Sequence, residues 1–114
     1  MNWSSGNCGF SHFVEFTVDP VHMPDLVASL MTRVERFTST CPGFIRACVH
    51  VSDEGDRALM QLLWSSKEHG EKALERAQRL ELDLFHMARQ PPAKALLFST
   101  FNVAAQVQAQ RLPT

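Results

Sequence analysis

Residues 57–64, Arg-Ala-Leu-Met-Gln-Leu-Leu-Trp, place the tightest constraint on the fold. In an extended chain Ala58, Met60, Leu62 and Trp64 fall on one face, and Leu59 and Leu63 on the other. Only Gln61 breaks the run. A strand that is apolar on both faces needs cover from two sides. Residues 95–105 repeat the demand through Leu96, Phe98, Leu97, Phe101 and Val103.

The remaining elements read from simpler patterns. Residues 12–18 set Val14, Phe16 and Val18 against Phe13, Glu15 and Thr17, the alternation of a half-buried strand, with His12 just ahead of the strand proper. Asp19-Pro20 closes it, since Pro20 cannot continue a ladder. Pro24 suits the first turn of a helix, and Val27, Leu30, Met31, Val34 and Phe37 follow as one apolar stripe. Cys41-Pro42-Gly43 stops that helix. Residues 44–51 form a second strand, with Ile45, Ala47, Val49 and Val51 opposite Arg46, Cys48 and His50. A polar loop, Ser52-Asp53-Glu54-Gly55-Asp56, joins it to residues 57–64 as a hairpin. Ser65 and Glu68 have capping-box spacing, and the helix they open is expected to run, with a break, through Ala73, Leu74 and Leu80 to Phe85 and Met87. Pro91-Pro92 ends it.

The order is strand, helix, strand, strand, helix, strand. That is the ferredoxin-like β-α-β-β-α-β signature, an α+β fold with an antiparallel sheet and helices on one face. Two helices cover one face only, so the two-faced strands predict a homodimer packed sheet against sheet. Contact of that face with another protein is the alternative.

The 114 residues have room for one domain, assigned to 11–107, after a flexible lead at 1–10 and before a tail at 108–114. Eleven basic and twelve acidic residues, in no block, leave a formal net charge of −1. Nucleic acid and anionic membranes would need a basic face, so neither is an expected partner. No apolar run approaches a membrane span, and the first residues lack the pattern of a signal peptide. The three cysteines, Cys8, Cys41 and Cys48, make an odd count without a close pair, which points to a reducing cytoplasm. No histidine and cysteine share metal-ligand spacing, so no metal is expected. There is no Tyr, hence no phenolic acid.

Pro42-Gly43-Phe44, the strand ending at His50-Val51-Ser52, the acidic-Gly hairpin, the strand closed by Trp64, and then Ser66 and Glu68 form a recognisable sequence. Over residues 12–107 the chain resembles the antibiotic biosynthesis monooxygenase (ABM) family. The resemblance implies a dimeric α+β barrel with a pocket between sheet and helices in each subunit. It implies, in one branch, oxidation of anthrone-type aromatic polyketides by O2 with no metal or organic cofactor. Other relatives degrade haem, oxidise quinols or act on signalling molecules. Members of the anthrone-oxidising branch carry Asn four residues before this Trp, where this chain has Met60, and at least one has Tyr six residues after it, where this chain has Gly70.

Candidate catalytic residues are Trp64, His86 and His50. The indole of Trp64 offers a flat surface and one N–H donor. His86 is the candidate general base, and His50 is the second candidate histidine. Arg79 and Arg89 could face a developing oxyanion, while Phe16, Met31 and Met60 are candidates for the substrate-binding wall. Each has a structural alternative: core packing for the apolar residues, solvated helix for the arginines. Three functions remain open at this point: a cofactor-independent oxygenase, a haem-degrading enzyme using His86, and a dimeric pocket that binds a hydrophobic ligand or templates a cyclisation. The haem-degrading relatives carry an Asn in the first strand, and residues 12–18 contain none.

Overall fold

The computed structural model describes residues 9–79, 93–107 and 109. The expectations for most of the lead, for the helix beyond Arg79 through Phe85 and Met87, for His86, Arg89 and Pro91-Pro92, and for nearly all of the tail lie outside these residues.

Six main elements follow in order: β1 (Phe10–Val18), α1 (Met23–Arg36), β2 (Phe44–Val51), β3 (Arg57–Trp64), α2 (Lys67–Arg79) and β4 (Ala93–Asn102). Single 3-10 turns at Pro20–His22 and Thr38–Thr40 flank α1. The strands make one antiparallel sheet in the order β2-β3-β1-β4. This is the expected ferredoxin-like α+β fold.

β2 and β3 have the bounds their alternation predicts. β1 begins two residues earlier than predicted, because Phe10 and His12 continue the buried face of Val14, Phe16 and Val18. The expected place of Ile45 is corrected by the register. Phe44 opposes Trp64 and Arg46 opposes Leu63, so Ile45 is the extra residue of a bulge and lies 53% exposed. β4 ends at Asn102, short of the predicted 105.

In α1 the buried stripe is Met23, Leu26, Leu30 and Val34, with Val27 and Phe37 packed at its margin. Met31 lies beside this stripe and is only half-buried. The expected capping box at α2 is also displaced by one residue. Ser66 accepts from the His69 backbone N–H at 3.2 Å, which makes Ser66 the N-cap. Glu68 instead meets Lys72 one turn on at 2.9 Å, and that hydrogen bond holds its carboxyl below the usual range.

Gly43 turns the chain from α1 into β2 with φ +81°, the left-handed region. A Cβ there would also overlap the His69 ring, which is held in place by its hydrogen bond to Ser66 Oγ at 2.7 Å. Gly43→Ala is therefore expected to cost about 2 kcal/mol, from backbone strain and the displaced ring together. The check is urea unfolding, where the midpoint should fall with the slope unchanged.

The core lies between the helices and one sheet face, with Phe16, Leu30, Met60 and Val14 among its most enclosed side chains. The other face keeps the apolar residues that the sequence placed there. Leu97 is 65% and Phe101 56% exposed on β4, and the Phe101 ring sits 5.5 Å from that of Phe13. With Leu59 and Glu15 they line a shallow groove of about 240 Å³. Among the described residues no helix is long and apolar enough to cross a membrane.

Candidate active site

Trp64 ends β3 at the centre of the sheet, paired with Phe10 of β1 and Phe44 of β2. Its side chain is 1% exposed, with the Phe44 ring edge-on at 5.5 Å. A buried indole N–H needs an acceptor. It finds His12 Nδ1 at 3.1 Å. His12 is itself 3% exposed, enclosed by the rings of Phe10 and Phe98, each at 5.4 Å, and of Trp64 at 5.9 Å. Removal from water disfavours the imidazolium and lowers its pKa to about 4, so the ring is neutral at pH 7.

These two side chains form one wall of a cavity between sheet and helices. Leu62 and Phe98 complete the sheet side, and Ala73, Leu74 and Ala77 of α2 close the opposite side. The end of α1 and the turn after it contribute Arg33, Phe37, Thr38 and Cys41. The lining is mostly apolar, and the enclosed space is about 40 Å³, room for a water molecule and little more. A groove of about 350 Å³ adjoins it, sharing Cys41 and Ala73 as a common wall. The groove is cationic on balance, with Lys72, Arg76 and Arg79 against Glu75. Arg76 stands at the junction: its guanidinium lies 5.0 Å over the Phe37 ring and donates to Cys41 Sγ at 3.7 Å.

The structure places the sequence candidates in different settings. Trp64 lines the cavity and Arg79 the groove. Phe16 and Met60 are fully buried further along the same sheet face, opposite Ala58 and Val14, and Met31 is on α1; none of the three lines the cavity. His50 is exposed on β2, opposite Leu59 on the face turned from the helices. His86 lies outside the described residues. The residue that sequence reasoning missed is His12. Its signal was present, since it sits two residues before Val14 on the same alternation.

Gly70 now has a structural reason. A Cβ at this position would lie 2.7 Å from Phe10 Cδ2 and 3.1 Å from Trp64 Cδ1. Phe10 occupies the space a larger residue would need. The tyrosine that a member of the ABM branch carries here has no room in this chain while Phe10 stays.

Fold and site together define a class: small ferredoxin-like domains with an apolar pocket between the sheet and its helices. No family model matches the chain, and no curated protein matches it. Solved structures do. A monooxygenase from the gene ActVA-Orf6 of Streptomyces coelicolor, solved in complex with Nanaomycin D, is 20% identical over 100% of both chains with a TM-score of 0.71. SnoaB, a cofactor-independent oxygenase from Streptomyces nogalater, is 18% identical over 93% of this chain and 98% of its own, with a TM-score of 0.57. A dimeric ferredoxin-like protein from an uncultured marine organism is 13% identical, covering 88% of this chain and 98% of its own, with a TM-score of 0.67. The likeness establishes a shared fold, the one that the ABM resemblance implies.

Proposed function

We propose that the protein is a cofactor-independent monooxygenase that oxidises an aromatic, polyketide-like substrate with O2, as a homodimer in a reducing cytoplasm. The observation that carries this reading is the apolar cavity walled by the Trp64 indole between sheet and helices. Two proteins of the same fold support it, one a cofactor-independent oxygenase and the other a monooxygenase holding Nanaomycin D.

In such a reaction the substrate supplies the electrons. Loss of an acidic ring C–H leaves a carbanion stabilised as an enolate, which passes electrons to O2. The methylene carbon exchanges two C–H bonds for one C=O bond; one oxygen atom stays in the product and the other leaves as water. The protein's share is to orient the ring, favour the deprotonated form and exclude bulk water. Trp64 offers the stacking surface, while Leu62 and Phe98 keep the wall dry. A tricyclic ring exceeds the enclosed 40 Å³, so it must extend past Cys41 and Ala73 into the groove, where Arg76 and Arg79 meet any negative charge it carries.

The test is oxygen uptake by metal-free and haem-free protein given an anthrone. Uptake above the uncatalysed rate is expected, reduced about tenfold or more in Trp64→Phe through lost orientation. Tight binding without uptake would move the protein to the ligand-binding or cyclase-like alternative, which Met60 and Gly70 at positions polar in the oxygenase branch already favour.

A further inference from the structure

We infer that His12 is the hydrogen-bond donor of the cavity, offering Nε2–H to a ligand oxygen, and that the site therefore takes aromatic ligands bearing a ring hydroxyl or enolate oxygen. This rests on the cavity being the ligand site proposed above.

An indole N–H donates and cannot accept. With Trp64 Nε1 3.1 Å from His12 Nδ1, the Nδ1 lone pair is committed to that bond. A neutral imidazole in this state carries its proton on Nε2. Two consequences follow for the reaction. His12 has no lone pair left to take a substrate proton, so it is a donor and not a base. The Trp64 N–H is equally engaged, so the indole presents its ring to a ligand and not its N–H.

Among the described residues no hydrogen bond from Nε2 is found, and His12 lines the cavity. A donor on an apolar cavity wall is best satisfied by an acceptor in the cavity, and an oxygen brought by the ligand supplies one. The preference is for an anionic oxygen, since charge-assisted hydrogen bonds are the stronger ones. Two other groups on the wall bear on that charge, the Arg33 guanidinium and the Cys41 thiol, so the test must separate His12 from both.

4-Nitrophenol serves as the probe, because its phenolate absorbs apart from its phenol. Bound to the wild type it should ionise at a pH about one unit below the free compound, a tenfold change in ionisation constant. His12→Gln should retain the shift, because its amide oxygen can accept from Trp64 while its NH2 group donates. His12→Phe should lose it, with Arg33 and Cys41 unchanged. Failure of the wild type to bind the probe, an unshifted ionisation, or an equal shift in His12→Phe overturns the inference. Should His12→Phe not fold, ¹⁵N NMR of the wild type decides: Nε2 protonated and Nδ1 bare at neutral pH is required, and the opposite tautomer sinks it. An intact shift without oxygen uptake would leave His12 as the donor of a binding protein. Oxygen uptake without the shift would keep the oxygenase and remove this role.

Discussion

A variant carrying lysine at both Leu97 and Phe101 is expected to sediment as a monomer at concentrations where the wild type sediments as a dimer. Both side chains are more than half exposed on β4, on the sheet face away from the helices, beside Phe13 and Leu59. Packing that face against a second copy buries each of them, for about 1.5 kcal/mol or more per side chain. A two-fold axis counts every residue twice, so the double substitution removes about 6 kcal/mol from association before any cost of burying lysine. That corresponds to more than four powers of ten in the dissociation constant. Because neither side chain supports the core within one chain, the monomer's own fold should survive, read as an unchanged far-UV circular dichroism spectrum. A wild type that is monomeric at tens of micromolar, or a double variant that stays dimeric, would remove the sheet-to-sheet dimer.

The apolar second face of the sheet was legible in the sequence, and the site was only half so. β2 and β3 announced themselves because a Gly-containing polar turn separates two extended runs, the first alternating except at the Ile45 bulge. Trp64 was legible as the close of a strand. His12 was not, because a polar residue ahead of an apolar alternation reads as lead-in until its face is known to be buried. Met60 and Phe16 share the face of Trp64, as their period requires, yet only the rungs near the end of β3 border the cavity. Which rungs those are depends on where α1 ends and α2 begins to cover the sheet, and no local pattern encodes that. His50 was assigned to the correct strand and to the face opposite Ala47 and Val49. Its distance from the cavity follows from that face being the one turned from the helices.

Acid offers the second large effect. Lowering the pH from 7 to 4 is expected to remove about 3 kcal/mol of folding stability through His12 alone. The folded protein holds this imidazole at a pKa of about 4 by burial, whereas the unfolded chain exposes it at the model-peptide value of 6.5. Between those values the unfolded state binds the proton that the folded state refuses, so acid favours unfolding. The contribution is intact above pH 6.5, falls progressively below it, and is lost as the pH drops through the folded value of about 4. His22 and His50 are exposed and add no comparable burial. Urea unfolding of the wild type and of His12→Gln, at pH 7 and at pH 4.5, isolates the effect. Glutamine keeps an acceptor for the Trp64 N–H but has no proton to bind, so the gap between the two pH values should narrow sharply in the variant. Parallel losses in both proteins would show that other groups carry the acid sensitivity. The proton also has only one place to go. Nε2 already bears a hydrogen, so protonation falls on Nδ1 and turns the acceptor for Trp64 into a second donor facing a donor. Acid thus breaks the Trp64–His12 contact that forms one wall of the cavity.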